Sequence, residues 1–139
     1  MPRRSRAREV ALQVLYQEDL NPTTELLESE RFLRGRLTAT DLVEFAASLV
    51  DGVRQHRAAL DALLGKTADN WTLGRMAATD RNVLRLGAFE LLHTTTPGRV
   101  VINEAVELAK RFGSKQSAHF VNGILDRLLS HRQGERFVD

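Results

Sequence analysis

The residues with the clearest chemical potential lie at the start of the chain, where four arginines occur without an acidic residue among them: Arg3, Arg4, Arg6 and Arg8. The spacing that follows is typical of an amphipathic helix, since at about 100° per residue one face is apolar and the other polar. The apolar face holds Ala7, Val10, Ala11, Val14 and Leu15, and the polar face holds Arg6, Glu9, Gln13 and Tyr16. Because guanidinium groups bind phosphates and an exposed ring stacks on an unpaired base, this helix predicts single-stranded RNA binding. The alternative is a solvated helix start with Tyr16 half-buried at the edge of the core.

A second polar segment, residues 113–123, has similar chemistry and leads into the last predicted helix. The start of a helix presents free backbone N–H groups, where Lys115 and Ser117 would help to hold a phosphate. Phe120 lies about 100° from the centre of the inward stripe, so it is either a ring at the core edge or a second stacking platform beside Asn122. Gly123 costs about 1 kcal/mol relative to alanine inside a helix, which indicates close approach of another backbone. The RNA-binding candidates here are Lys115, Gln116, Ser117, His119, Phe120 and Asn122.

Other chemistries have weaker support in the sequence. The chain has no cysteine, which excludes disulfides, thiolate metal sites and a cysteine nucleophile. Gly65-Lys66-Thr67 resembles the end of a phosphate-binding P-loop, but the earlier glycine and the preceding strand of that motif are missing. Glu90 and His93 have the Glu-x-x-His spacing that di-metal helical bundles use twice, but here it occurs once. We therefore expect no catalytic residues, no metal and no cofactor.

The composition is that of a folded globular protein. The 139 residues are 42% hydrophobic and 27% charged, which predicts a single domain over residues 1–139 with residues 1–3 and 133–139 frayed. No apolar run reaches the length of a membrane span. The absence of cysteine agrees with a reducing compartment, so we expect the cytoplasm. The net charge is only +2, but the arginines concentrate it near the N-terminus, which predicts an anionic partner.

An all-α fold must position these residues, because the hydrophobic periodicity is helical throughout. Asn21-Pro22 is expected to end the first helix and start a second, since asparagine caps well and proline suits the first helical position. The further predicted elements are an end of helix two near Arg36, a helix from Thr40 or Asp41 to Gly65, a turn around Trp71–Leu73, a helix Arg81–His93 capped by Thr79-Asp80, a turn Thr94–Arg99, and helices Ile102–Phe112 and Ser117–His131. The helix Arg81–His93 is apolar nearly all round, so it should be central.

Four blocks of sequence together resemble the transcription antitermination factor NusB family. They are Arg4-Ser5-Arg6-Ala7-Arg8-Glu9 with Ala11-Leu12-Gln13-Val14-Leu15-Tyr16, Asn82-Val83-Leu84-Arg85-Leu86 with Glu90-Leu91, Val101 to Lys110 with Phe112-Gly113, and Phe120-Val121-Asn122-Gly123-Ile124-Leu125-Asp126. The blocks follow in order across nearly the whole chain. The resemblance implies an all-helical fold of about seven helices in two small bundles packed at a steep angle. It also implies binding of the boxA element of ribosomal RNA jointly with NusE, and entry into the antitermination complex on RNA polymerase.

The resemblance also implies roles for individual positions. Asp80 and Arg81 match the side that meets NusE, and Lys115-Gln116 replaces residues that are acidic in some relatives. We therefore expect a more basic loop and a higher RNA affinity without NusE. The positions that match the basic motif and the RNA-facing residues of the family are Arg3, Arg4, Arg6, Arg8, Gln13, Tyr16, Ser117, Phe120 and Asn122.

Two other functions remain as alternatives at this point. A similar helical module resembles the N-terminal part of some ribosomal RNA cytosine methyltransferases, but such an enzyme needs a downstream cofactor-binding domain with catalytic cysteines, and this sequence ends at Asp139 without a cysteine. The second alternative is a protein-only helical scaffold or homodimer, in which the basic helix pairs with an acidic partner. Binding of boxA-like and scrambled RNA separates this second alternative from an RNA-binding adaptor.

Overall fold

A computed structural model of the chain describes residues 3–69 and 71–138, with side chains as far as Arg132. Within these residues the fold is all-helical, as predicted, and contains no strand. Six α-helices and one 3₁₀ turn follow one another: α1 Arg3–Leu20, α2 Leu26–Arg36, α3 Thr40–Thr67, the 3₁₀ turn Leu73–Arg75, α4 Ala78–His93, α5 Gly98–Phe112 and α6 Ser117–Val138. The chain divides into two compact units, residues 1–55 and residues 56–139.

The first unit contains α1, α2 and the first part of α3. Its core is built from the predicted apolar face of α1 and from residues of the other two helices: Ala7, Val10, Ala11, Val14, Leu15, Leu33, Leu37, Ala46, Leu49, Val50 and Val53. Glu18 joins the three helices, because it accepts hydrogen bonds from Arg54 Nε of α3 at 2.9 Å and from Ser29 Oγ of α2 at 2.7 Å. The hydrogen bond to Glu18 raises the pKa of the Arg54 guanidinium.

The second unit is organised around α4, which is buried along nearly all of its length, as its composition predicted. Helices α4, α5 and α6 all contact one another. Gly87 permits the close packing of α4 on α6, because an added Cβ would lie 2.7 Å from Leu125 Cδ1. The buried Arg85 is held by Asp61 in a bidentate pair at 2.8 and 2.9 Å, which compensates its charge in the interior.

Several helix boundaries differ from the predicted ones. Asn21 O accepts hydrogen bonds from the N–H and the hydroxyl of Thr24, so Asn21 belongs to a turn and α2 begins only at Leu26. Helix α3 continues past Gly65 to Thr67, whose hydroxyl bonds Leu63 O at 2.8 Å. Helix α4 begins three residues earlier than expected, after the N-cap Ala77. Helix α5 begins four residues earlier than expected, after the N-cap Pro97.

The two ends of the chain are described in part. Met1 and Pro2 lie outside the described residues, as does Asp139, whereas Arg3 is helical. The backbone of α6 is helical as far as Val138, beyond the predicted end at His131. Fraying of residues 133–139 and the folding of the chain as a single domain stay predictions.

Candidate nucleic-acid interface

The four N-terminal arginines lie in different environments on α1. Arg3 is exposed and bonds Asp41 at 3.1 Å, and Arg4 is exposed with its guanidinium 4.4 Å from the centroid of the Phe45 ring. Arg6 is partly exposed and bonds Glu9 at 2.8 Å. These three side chains are accessible to a phosphate, since surface ion pairs are weak and exchange readily.

Arg8 differs from the other arginines, because only 3% of its surface is exposed. Its guanidinium lies 5.2 Å from the centroid of the Phe45 ring, a distance at which cation–π attraction stabilises a partly desolvated arginine. Glu9 is also buried, so its expected position on a solvated polar face was wrong. The charge of Arg8 therefore lies in the interior of the first unit and not at its surface.

Gln13 and Tyr16 lie one turn apart on α1 and differ in exposure. The Tyr16 ring is 38% exposed, so it points away from the core, as the periodicity predicted. Gln13 is half-buried, and its Oε1 atom has no hydrogen-bond partner among the described residues. A buried acceptor without a partner costs about 1–3 kcal/mol, and a donor that reached this oxygen would offset that cost.

The loop between α5 and α6 is braced by Ser117. This residue is only 1% exposed, and its Oγ accepts a hydrogen bond from Ser114 N at 2.8 Å. Gly113 is required beside it, because an added Cβ would lie 2.4 Å from Ser117 Oγ and 2.8 Å from Ala109 O. Ser117 therefore supports the loop in the free protein, whereas we expected it to face a phosphate.

The other candidates in this segment lie at the surface. Phe120 is half-buried, between the two alternatives that the sequence left open. Gly123 faces open space within the described part of the chain, so the expected close approach of another backbone was wrong. The side chains that are exposed are Lys115, Gln116, His119 and Asn122.

The sequence analysis missed Trp71, the single tryptophan of the chain. Its ring is 52% exposed and packs edge-to-face on Phe120, with 5.4 Å between the ring centroids. The one available signal was an isolated tryptophan in the polar segment Asp69–Thr72. The sequence predicted only a turn in that segment.

Asp80 and Arg81, the residues matched to the NusE side, both lie in the first turn of α4. Arg81 Nη1 donates to Leu73 O at 3.0 Å and to Met76 O at 3.3 Å, which fixes the 3₁₀ turn against the helix. Asp80 is partly buried, and its Oδ1 atom has no hydrogen-bond partner in the described residues. Of these two residues, Asp80 is therefore the one with an unused hydrogen-bond acceptor among the described residues.

The weaker motifs do not form sites. Gly65-Lys66-Thr67 is part of α3 and not a phosphate-binding loop. Glu90 is buried, whereas His93 is exposed and stacks on His56 with 4.0 Å between centroids. Among the side chains of residues 3–69 and 71–132, no group of three or more histidines and carboxylates is placed to hold a metal ion. No helix in the same residues is long and apolar enough to cross a membrane.

Comparison with known proteins identifies close relatives. The model of the NusB family matches residues 5–130. The transcription antitermination protein NusB of Anaeromyxobacter dehalogenans is 48% identical over 139 residues, with 96% of this chain and 98% of that protein covered.

Solved structures have the same fold. A structure of T. maritima NusB matches with a TM-score of 0.83 at 35% identity, over 94% of this chain and 92% of that one. A structure of the antitermination factors NusB and NusE in complex with double-stranded RNA also matches with a TM-score of 0.83, at 30% identity, over 94% of this chain and 98% of that one. The resemblance found in the sequence is confirmed by these matches.

Proposed function

Because this chain belongs to the NusB family, we propose that it is a non-catalytic, RNA-binding transcription antitermination factor. Together with NusE it binds the boxA element of nascent ribosomal RNA and joins the antitermination complex on RNA polymerase, in the cytoplasm. The name of its relatives and the structure of NusB and NusE with RNA support this assignment.

The observation that carries the proposal is the surface of α1, which presents cations at one end and an exposed ring towards the other. Arg3 and Arg4 are exposed in the first turn, and Tyr16 is exposed 12 residues after Arg4, about 18 Å along the helix axis. Arginines that bind phosphates and a ring that stacks on a base are the two requirements of single-strand binding. One rigid helix supplies both.

The RNA contacts on α1 are Arg3, Arg4, Arg6, Gln13 and Tyr16. Gln13 contributes a buried acceptor without a partner among the described residues, suited to a donor on a base or a ribose. Arg8 has a supporting role, because it holds the Phe45 ring on which Arg4 also lies.

The contacts in the second unit come from the start of α6 and the loop before it: Lys115, Gln116, His119, Phe120 and Asn122. Lys115 supplies charge and the exposed amide of Asn122 supplies donors and acceptors for a base edge. Ser117 supports this segment through its hydrogen bond with Ser114. A more basic loop favours RNA binding by this chain before NusE arrives.

We assign the NusE contact to Asp80, with Arg81 as the residue that positions the helix start. An unpaired, partly desolvated carboxylate oxygen gains a charge-assisted hydrogen bond from a cationic partner surface. Arg81 holds the neighbouring turn by bonding two of its carbonyls.

The decisive experiment is RNA binding by the free chain, with boxA RNA and a scrambled RNA of equal length, in the presence and absence of NusE. We expect boxA to be preferred and NusE to tighten its binding. Equal affinity for both RNAs with and without NusE would overturn the proposal. Sedimentation of the same samples detects self-association, which would instead favour a homodimeric scaffold.

A further inference from the structure

We propose that Trp71 and Phe120 together form a second base-stacking site, which takes one unpaired nucleobase of the bound RNA. This inference rests on the proposed function, because it assumes an RNA ligand, but it adds Trp71, a residue that the sequence did not indicate. Trp71 lies between α3 and α4, 49 residues before Phe120 in the chain.

The exposure of Trp71 is the first observation. Tryptophan is a large apolar residue that normally contributes to a core, yet 52% of the surface of Trp71 is exposed. Its contact with Phe120 is edge-to-face, at an interplanar angle of 67°, a preferred geometry for aromatic pairs. Exposed area therefore remains on the Trp71 side chain, where a planar base can stack.

The second observation is that the segment carrying Trp71 is fixed to α6 at another point. Arg127 Nη1 donates to Asp69 Oδ2 at 2.7 Å. Arg127 follows Phe120 by seven residues, so both lie on the same face of α6, about 10 Å apart along the axis. Asp69 has a φ of 48°, in the left-handed region that aspartate tolerates. The contact with Phe120 thus orients the ring before a ligand arrives, which lowers the entropic cost of binding. The exposed Arg127–Asp69 pair adds a weak second contact between this segment and α6.

The third observation is the space between those two contacts. Gly123 lies three residues after Phe120 and four before Arg127, and an added Cβ there would meet none of the described atoms within 4 Å. The Cβ side of Gly123 is therefore open, whereas its carbonyl oxygen accepts a hydrogen bond from Arg127 Nε at 3.3 Å. A flat group stacked on Trp71 has room beside it.

The charges at this surface favour a base over a phosphate. The Arg127 guanidinium is paired with Asp69, so the local charges cancel. The exposed side chains of Lys115 and Asn122 precede Gly123 in the chain. The ligand that fits is an unpaired nucleobase whose phosphates lie towards the start of α6.

Tryptophan fluorescence tests the proposal directly, because Trp71 is the single tryptophan and its emission reports on this site alone. The full-length chain is titrated with a single-stranded boxA oligoribonucleotide that carries a dye, and tryptophan emission and dye anisotropy are recorded together. We expect the emission to be quenched with the same midpoint as the rise in anisotropy. Trp71→Ala should weaken binding about five- to 150-fold, the range for one stacked aromatic.

Two variants serve as controls. Trp71→Phe retains a stacking ring and should bind within about fivefold of the wild type. Val100→Ala removes an exposed apolar side chain of the same unit and should leave affinity unchanged. If circular dichroism shows that Trp71→Ala does not fold, the stacking site is tested by the emission of the wild type and the RNA affinity of Trp71→Phe.

The outcomes separate this inference from the proposed function. Anisotropy that rises with unchanged emission, and with wild-type affinity for Trp71→Ala, would overturn the stacking site and leave RNA binding intact. Anisotropy that never rises, with or without NusE, would overturn the proposed function. In a third titration NusE is added without RNA, and the signal of Trp71→Phe with NusE is subtracted as the blank. A change in Trp71 emission under these conditions would show that Trp71 contacts NusE, which would overturn the inference.

Discussion

The start of α1 and the start of α6 bring different chemistry to the same proposed ligand. On α1 the accessible groups are mainly cations, and the aromatic ring of Tyr16 is about 18 Å from Arg4. At α6 two rings are already in contact, Trp71 on Phe120, and Arg127, two turns further along the helix, is paired with Asp69. In the proposed complex the first surface attracts RNA by charge, and the second holds it by stacking.

The two surfaces also differ in what supports them. The α1 surface is a continuous helix, and its exposed Arg3 and Arg4 also contact Asp41 and Phe45 of α3. The α6 surface depends on a tight loop at Gly113 and on a tether from α6 to a loop far away in the chain. Substitutions in support residues should therefore affect the second surface more than the first.

The largest effect is expected at the loop. Gly113→Ala would place a Cβ 2.4 Å from Ser117 Oγ and 2.8 Å from the backbone oxygen of Ala109, so we expect a loss of about 1–3 kcal/mol in the free energy of unfolding. Gly123→Ala is the matched control. It meets no described atom within 4 Å and should stabilise α6 by up to about 1 kcal/mol. Urea unfolding of both variants measures this, and equal effects would contradict the account of the loop.

The next effect concerns Tyr16, which belongs to the α1 surface. Its ring is exposed, so Tyr16→Ala should lower boxA affinity by one to two orders of magnitude, from about 1–3 kcal/mol of stacking. The midpoint of urea unfolding should hardly change. A variant that unfolds readily but binds normally per folded molecule would show that Tyr16 is a core residue, the alternative that the sequence left open.

A smaller effect is expected at Asp80, outside both RNA surfaces. Asp80→Asn keeps the shape of the side chain but removes the charge, so NusE affinity should fall about tenfold, equivalent to about 1.4 kcal/mol. RNA binding by the free chain should stay constant. Calorimetry with each partner separately measures this, and Asp126→Asn, a carboxylate of α6 paired with Arg99, is the control. Equal losses for both partners would indicate a folding defect.

The smallest effect is the pH dependence of the histidine stack. Burial and the neighbouring His56 lower the pKa of His93 below its ordinary value. The unfolded chain therefore binds the proton first, and the free energy of unfolding decreases as pH falls through about 6.5 towards the folded pKa. His93→Gln should reduce this decrease between about pH 8 and about pH 5. Urea midpoints across that range decide it, and an undiminished decrease in His93→Gln would exclude His93 as its source.

The sequence predicted those features that depend on local periodicity. The apolar face of α1, the exposure of Tyr16 and the buried α4 all follow from the spacing of residues within one helix. The resemblance to a family added the partners and the RNA-facing positions. The start of α2 was wrong because Asn21 uses its carbonyl in a turn.

The features that the sequence did not predict arise from contacts between distant residues. Arg8 is buried because Phe45, on another helix, lies against its guanidinium. Trp71 became a candidate only through Phe120, which follows it by 49 residues. The hydrophobic pattern of one segment does not predict such contacts, because it indicates only which face of that segment is apolar.

The most direct test of the central claim is the salt dependence of boxA binding in two sets of variants. Each phosphate contact on a single strand contributes roughly −0.7 to the slope of log K against log salt. Replacing Arg3, Arg4 and Arg6 by glutamine should therefore flatten the slope by about 2. Trp71→Ala should lower the affinity at every salt concentration and leave the slope unchanged. A slope that is insensitive to the three arginines, or that flattens equally with Trp71→Ala, would contradict the division between a charged surface and a stacking surface.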